Sequence, residues 1–208
     1  EMNAYFLQRI NEIRRQPKLH LLGQLVAAEA EDGKLDDEEL LSFCRLLLIA
    51  GNETTTGLIT ASARIFHEEP ETLRQLKQNP QLAGNFVEKA LRFYSPFSAT
   101  VRRTTKDVEI AGQAIAAGEL VVPLLASANR DERAFDAPDT FMLDRSPNPH
   151  LGLGFGIHVC LGAHLARLEG RTVVEQMAER YQGVELTNAQ GATVGELGGP
   201  ESLAVRAR

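Results

Sequence analysis

The sequence predicts a mainly α-helical fold with small β-sheets, and three observations support this prediction. Apolar residues recur at helical spacing over most of residues 3–94, short β-rich pieces with glycine turns fill 99–123, and a long helix covers 161–181. At 208 residues, 43% apolar and 24% charged, the chain has the composition of a globular protein that buries a core.

Charge and composition argue against several classes of protein. A net charge of −6 disfavours a nucleic-acid surface and a basic membrane-binding face. No apolar run is long enough to span a bilayer, and residues 1–20 lack the apolar core of a signal peptide. Cys44 lies in an apolar helical stretch and Cys160 in a glycine-rich loop, so a disulfide is not expected. We therefore expect a cytoplasmic protein that spans no membrane and binds no nucleic acid.

The predicted helices follow from apolar periodicity and from their end signals. Gly33 ends the second helix. Asp36 and Glu39 have the spacing of a capping box, which begins a third helix that continues to about His67. The predicted helices are 3–15, 19–31, 36–67, 70–78, 81–94 and 161–181.

The predicted strands are short and lie in the second half of the chain. Gly112 and Gly118 occupy turn positions in the β-rich stretch 99–123. Residues 132–149 are rich in proline and have no clear period, which predicts an ordered but irregular stretch. Two weak strands follow the last helix, near 183–186 and 202–206.

A polar sequence interrupts the third helix. The apolar stretch "LLSFCRLLLIAG", expected to be buried on most sides, continues directly into "GNETTTG". The threonines could bond back to carbonyls one turn earlier at a local kink. Alternatively, Glu53 and Thr54 supply an acid and a hydroxyl for a proton relay.

Glycines surround Cys160 in the segment "HLGLGFGIHVCLGAHLARLEG". They permit a tight loop whose amides can approach the sulfur, and the start of a helix favours the thiolate. Such a thiolate is a nucleophile, with His158 or His164 as its base, or a metal ligand. A zinc site built on Cys160 and His164 lacks a second pair of ligands with suitable spacing.

Four stretches, in the expected order, resemble the cytochrome P450 family. The Cys160 segment resembles its haem-binding loop, F-x-x-G-x-x-x-C-x-G, with Leu153 at the position of the usual phenylalanine. "AGNETT" resembles the oxygen-activation motif A-G-x-[DE]-T. "VRRTTKDVEIAG" resembles the stretch that carries a propionate-binding arginine, and "ANRDERAFDAPDTF" resembles the meander region.

The resemblance implies the carboxy-terminal half of a larger P450-type domain, with a long central helix and a proximal haem-binding loop and helix. In this interpretation 1–131 is a helical part with a small sheet, 132–160 contains the meander and the haem-binding loop, and 161–208 contains the proximal helix and terminal strands.

The resemblance also implies a cofactor, haem b, and a set of site residues. Cys160 would be the axial thiolate and the iron ligand. Glu53 and Thr54 would deliver protons, and His158 and Arg102 would bind the haem propionates. The remaining residues expected at the haem are Leu153, Gly154, Gly156, Gly162 and Ala50, and those expected in the substrate pocket are Leu48, Phe97, Ser98, Ala99 and Thr100.

Two positions depart from the family's charge network. Lys89 stands at the usual glutamate of the E-x-x-R motif, one turn before Arg92, so these two residues should repel each other. Glu88 can reach Arg92 along the helix, from a different face. Thr140 stands where the meander arginine is expected, and Arg145 is a candidate substitute.

Three hypotheses about function follow. The first is a haem-thiolate monooxygenase that receives electrons from a ferredoxin-like or flavin-containing donor and acts on an apolar small molecule. The second is a degenerate docking or recruitment module, and the third is a peroxide-dependent oxygenase, which the Glu53 and Thr54 pair disfavours. His164 and Arg167 belong either to a docking surface for the electron donor or to a plain exposed helix face.

Overall fold

The protein is described here by a computed structural model, which covers residues 1–32, 35–187 and 203–208. Among these residues, no helix is both long enough and apolar enough to cross a membrane. The α-helices are α1 (Met2–Arg15), α2 (Leu21–Asp32), α3 (Asp37–Glu68), α4 (Pro70–Gln78), α5 (Ala83–Phe93), α6 (Leu125–Ala128) and α7 (Ala163–Arg180). The strands are β1 (Arg102–Arg103), β2 (Val108–Ile110), β3 (Gln113–Ile115), β4 (Leu120–Val121), β5 (Val184–Leu186) and β6 (Val205–Ala207).

The long helix α3 begins as its capping signal predicts. The Asp36 amide donates to the Glu39 carboxylate at 3.0 Å, and the Glu39 amide donates to the Asp36 carboxylate at 2.8 Å. This reciprocal pair satisfies two amides that the first turn leaves without a helical partner. The helix is 32 residues long and passes through Gly51 without a break. The predicted end of the preceding helix, Gly33, lies outside the described residues.

Three antiparallel two-stranded pairs form the small sheets: β1 with β4, β2 with β3, and β5 with β6. The β2–β3 hairpin turns at Ala111 and Gly112, whose φ angles are +50° and +80°. Two positive φ angles in a two-residue turn match the strand twist of a hairpin. Gly118 also has a positive φ, so both predicted glycine turns are confirmed.

The structure corrects several predicted boundaries. The segment predicted as one helix, 81–94, begins instead with a 3-10 turn over Pro80–Leu82, where the Leu82 amide donates to the Asn79 carbonyl. The last helix begins at Ala163 rather than 161. Two short elements were not predicted, α6 and the 3-10 turn Gly156–His158. Apolar periodicity does not reveal elements as short as these.

The chain divides within α3 into two compact units, Glu1–Glu53 and Thr54–Arg208. In the first unit, buried residues from α1, α2 and α3 form one cluster, which consists of Ile10, Ile13, Val26, Leu40 and Cys44. Cys44 is therefore a core residue, as predicted, and burial raises the pKa of its thiol.

The expectation that the apolar part of α3 is buried on most sides is wrong for part of this stretch. Leu46, Leu48 and Ile49 are each more than half exposed. The core of the first unit contacts α3 at Leu40 and Cys44, so it covers one face of the helix.

The second unit has a core built around aromatic rings, with α5 and α7 packed together. The Phe86 ring stacks on Phe66 at a centroid distance of 4.9 Å and tilts against Phe141 at 5.7 Å. Gly170 permits the close approach of α7, because a Cβ atom there would lie 2.7 Å from the Leu58 Cδ2 atom. This packing fixes α7, which directly follows the loop that carries Cys160.

Candidate functional site

The loop that precedes α7 folds back on itself and presents Cys160. The Cys160 amide donates to the Leu153 carbonyl at 2.8 Å, and the Gly154 amide donates to the Leu151 carbonyl at 2.9 Å. Gly154 has a φ of +75°, and a Cβ atom there would lie 2.5 Å from the His158 carbonyl oxygen. The loop therefore requires glycine at this position.

The thiol lies on an apolar exposed surface. Cys160 is free and exposed, three residues before α7 begins. Phe155 and Ile157, on the same loop, are 81% and 97% exposed, and Val159 and Leu161 on either side of the cysteine are also exposed. This concentration of exposed large apolar side chains is typical of a surface that another apolar group covers.

The start of this loop is anchored to other elements of the second unit. The Leu151 amide donates to Asn129 Oδ1 at 2.7 Å, and the Asn129 amide group donates to Ser95 Oγ at 2.8 Å. The Gly152 amide donates to His150 Nδ1 at 3.1 Å. A Cβ atom on Gly152 would lie 2.6 Å from the Leu91 carbonyl oxygen, so the loop passes directly against α5.

The residues predicted to bind propionates are exposed. Arg102, on β1, donates to Thr100 Oγ1 at 2.9 Å and to the Val101 carbonyl at 2.8 Å. His158 ends the 3-10 turn Gly156–His158 and is exposed. The neighbouring Arg103 donates to the Gly118 carbonyl, in the turn that precedes β4, at 2.5 Å.

The predicted pocket segment 97–100 is half-buried. The Thr100 amide donates to the Pro123 carbonyl at 3.1 Å, and the Ser98 carbonyl accepts from the Ala126 amide at 2.9 Å. These bonds hold the segment, which also contains Phe97 and Ala99, against the start of α6. A groove of about 500 Å³ between α4 and α7 contains none of the predicted site residues.

The residues predicted on α3 fall in both units. Leu48, Ala50 and Glu53 belong to the first unit and are exposed, whereas Thr54 begins the second unit and is half-buried. The next hydroxyl, of Thr55, donates to the Glu169 carboxylate of α7 at 3.1 Å. This threonine therefore contacts another helix and does not bond back to α3.

Arg92 is a buried cation that donates to backbone carbonyls. It is 1% exposed, and its guanidinium donates to the carbonyls of Asn129 and Pro138, both at 2.9 Å, and to that of Thr140 at 3.4 Å. Burial, and then the charges of Arg145 and Arg130, lower the pKa of Arg92 to about 10. The side chain therefore remains charged at neutral pH.

Arg145 forms a second set of bonds to the same segment. It donates to the carbonyls of Asp136 at 2.6 Å, Ala137 at 2.9 Å and Thr140 at 3.2 Å. The Thr140 carbonyl thus accepts from both arginines. At position 140, where the family resemblance predicts an arginine side chain, the backbone carbonyl of Thr140 accepts hydrogen bonds from two other arginines.

Lys89 lies close to these two arginines and is 8% exposed. Burial lowers the pKa of Lys89; the charge of Glu88 opposes this effect, and the charges of Arg145 and Arg92 add to it. The charge of Arg92 thus acts against the charge of Lys89, as expected from their spacing. The two buried guanidinium groups donate to backbone carbonyls, which offset part of the cost of burying their charge.

The expectation that Glu88 reaches Arg92 is wrong. Its carboxylate accepts two bonds from Arg167 of α7, at 2.7 and 3.0 Å, and lies 3.2 Å from His150 Nε2. Burial would raise the pKa of Glu88, but the bonds from His150 and Arg167 lower it to about 2. Glu88 pairs with Arg167 because α5 packs on α7, while the two terminal nitrogens of Arg92 donate to backbone carbonyls.

The sequence interpretation did not identify the long-range contacts that hold this loop. Glu88, Asn129 and His150 make these contacts across separations of 22 to 79 residues. No local spacing in the sequence signals such pairs.

Comparison with known proteins gives consistent matches. The sequence model of the cytochrome P450 family matches residues 73–190. Cytochrome P450 109 of Bacillus spizizenii is 44% identical over 184 residues, 88% of this chain and 45% of that protein. Cytochrome P450 119 of Sulfolobus acidocaldarius is 41% identical over 207 residues, 99% of this chain and 55% of that protein.

A solved structure matches over nearly the whole chain. The structure of cytochrome P450 CYP109Q5 from Chondromyces apiculatus aligns with a TM-score of 0.91 at 41% identity. The alignment covers 99% of this chain and 54% of that chain. The chain therefore spans about half the length of the relatives it matches.

The ion pairs of Glu88 predict a pH-dependent stability. Its pKa in the folded protein, about 2, lies below its ordinary value of 4.5, so its contribution is fully present above the ordinary value and is lost as the pH falls towards 2. Relative to Glu88→Gln, the native protein should be more stable at pH 7 by about 1.5 to 3 kcal/mol, and this difference should shrink below pH ~4.5.

Urea unfolding of both proteins between pH 7 and pH 3 measures this difference. The control is Glu175→Gln, because Glu175 also accepts from an arginine of α7, Arg171, at 2.7 Å, but this pair lies within one helix and holds no other element. The ion pairs assigned to Glu88 are contradicted if Glu88→Gln changes the free energy of unfolding by the same amount at every pH, or by no more than the control does.

Proposed function

Because this chain belongs to the cytochrome P450 family, we propose that it supplies the cysteine-bearing half of a haem-thiolate monooxygenase. The reaction is insertion of one oxygen atom from O2 into an apolar small molecule. The observation that carries the proposal is the free, exposed thiol of Cys160, held in a glycine loop directly before α7.

The residues around Cys160 fit a flat apolar cofactor. The loop exposes large apolar side chains beside the thiol, among them Phe155 and Ile157, and its glycine backbone leaves no side chain over Gly154 and Gly156. The exposed thiol of Cys160 is accessible to a cofactor, whereas Cys44 is packed in the core of the first unit. The donor set and the shape therefore suit haem b.

Each residue near the cofactor then has a defined task. Cys160 binds the iron through its sulfur, and the positive end of α7 favours the thiolate form. His158 and Arg102 donate hydrogen bonds to the propionate groups. Leu153 and Gly162 would contact the macrocycle, and the same role for Ala50, in the first unit, stays a prediction from the family resemblance. Haem bound by a cysteine thiolate supplies the activation of O2.

Proton supply and substrate binding fall to other residues. Glu53 and Thr54, adjacent on α3, would hold protons on a carboxyl and a hydroxyl oxygen and so supply a proton relay. The segment 97–100 would provide small and apolar surfaces, which suit a substrate without high charge. The pocket role of Leu48, in the first unit, stays a prediction from the family resemblance.

The electrons come from a ferredoxin-like or flavin-containing protein that docks near α7. His164 is exposed on this helix and is available to such a partner. Arg167 is held by the Glu88 carboxylate, so its charge is already partly neutralised within the chain.

The absorption spectrum of the ferrous protein with carbon monoxide tests the proposal. Thiolate ligation moves the Soret band far to the red of the position that histidine ligation gives. We expect this red-shifted band in the complete natural protein and its loss in Cys160→Ala, with the band retained in the control Cys44→Ala. A protein that binds no haem, or a band that survives Cys160→Ala, overturns the proposal.

One observation favours the second candidate, a docking module without oxygenase activity. Lys89, Arg92 and Arg145 form a buried group of cations in which both arginine Nε atoms lack a hydrogen-bond partner. An interior of this kind costs stability, and it could impair cofactor retention.

Lys89→Glu tests whether this cation group impairs haem retention. A carboxylate at this position would attract both guanidinium groups, so we expect a higher melting temperature than in the native protein or in the neutral control Lys89→Met. A several-fold gain in haem content would favour the docking module as the native role. Full haem occupancy in the native protein, unchanged by the substitution, would exclude that role for the cation group.

A further inference from the structure

We infer that Glu88 and His150 form a relay, carboxylate to imidazole to the Gly152 amide, that positions the loop carrying Cys160. Neither Glu88 nor His150 lies within the cysteine motif itself, residues 153–162, and neither side chain touches the thiol. They are positioning residues, and their significance for haem ligation rests on the proposed function.

The hydrogen bonds of His150 fix the position of its proton. The Gly152 amide can only donate, so His150 Nδ1, at 3.1 Å, must be an unprotonated acceptor. The ring hydrogen then lies on Nε2, which donates to the Glu88 carboxylate at 3.2 Å. The His150 side chain is 5% exposed, so water does not readily replace either partner.

Glu88 is itself fixed on its other side. Arg167 donates to both of its carboxylate oxygens, and the Glu88 backbone carbonyl accepts from Asn148 Nδ2 at 3.1 Å. The carboxylate therefore accepts from α7 and from the approach to the loop at the same time. This arrangement holds the imidazole ring in one orientation, as partners of metal-ligating groups commonly do.

The bond at Gly152 acts on the part of the loop that holds the cysteine. Leu151 and Leu153, on either side of Gly152, accept the amides of Gly154 and Cys160. The Gly152 N–H and the Leu151 carbonyl belong to one peptide plane, so the bond to His150 directly fixes the carbonyl that accepts from Gly154 and restrains the chain that leads to Leu153. The separate bond from Leu151 to Asn129 holds the loop at a second point, so loss of the relay should loosen the loop without unfolding the protein.

Hydrogen–deuterium exchange of peptides within 151–160 measures this loosening in the complete natural protein, whether or not haem is bound. We expect His150→Ala to speed exchange there by about tenfold, because the Gly152 amide loses its acceptor. His150→Asn should restore most of the protection, because an asparagine side chain can accept from the amide two residues later.

Glu88→Met tests the other end of the relay, with Glu175→Met as the matched control. We expect faster exchange within 151–160 for Glu88→Met and native exchange for the control. The double variant Glu88→Met/His150→Ala should exchange no faster than His150→Ala alone, because both residues act through the same bond.

The inference is overturned if peptides within 151–160 exchange at the native rate in His150→Ala, or at equal rates in His150→Ala and His150→Asn. If Glu88→Met does not fold, the two His150 variants still decide the matter. The carbon monoxide spectrum adds a second readout, in which His150→Ala should lower the fraction of red-shifted haem and His150→Asn should restore it. If the native protein lacks the red-shifted band, the proposed function is overturned. The exchange rates still test the relay in that case, because they do not depend on bound haem.

Discussion

The buried guanidinium of Arg92 is the constraint on which the candidate site depends. It joins α5 to the irregular segment after α6, because one side chain donates to carbonyls of Asn129, Pro138 and Thr140. Asn129 transmits this constraint, since its side-chain oxygen accepts the Leu151 amide at the start of the cysteine loop. The conformation around Cys160 is thus held by a cation from a distant part of the chain.

Two different kinds of electrostatic contact support the loop. On one side, Arg92 and Arg145 are stabilised by carbonyl dipoles, and each retains a buried Nε without a partner. On the other side, Glu88 forms a charged pair with Arg167 and a bond with His150. The carboxylate of α5 therefore links the loop to α7, while the cations link α5 to the segment that precedes the loop.

Local signals in the sequence were sufficient for much of the fold. The capping pair at Asp36 and Glu39, and the turns at Gly112 and Gly118, depend on neighbouring residues alone, so the structure follows them closely. The contacts of Glu88 could not be predicted in this way. Spacing along a helix suggested Arg92 as its partner, but packing of α5 on α7 brings a residue 79 positions away into better geometry.

In the candidate site, too, local features could be predicted from the sequence and long-range contacts could not. The glycines around Cys160 indicated a tight loop, and the structure has one, with a positive φ at Gly154. Which side chains hold that loop depends on tertiary packing. The sequence therefore identified the residues of the loop and not those that fix its position.

The free energy of unfolding of Arg92→Lys tests the central role of this guanidinium most directly. Lysine keeps the positive charge, but a single ammonium group cannot donate to several separated carbonyls in the fixed geometry of a guanidinium. We predict a loss of about 3 kcal/mol or more, as when a buried polar contact is broken. A value within about 0.5 kcal/mol of the native protein, the range of ordinary surface substitutions, would contradict the account.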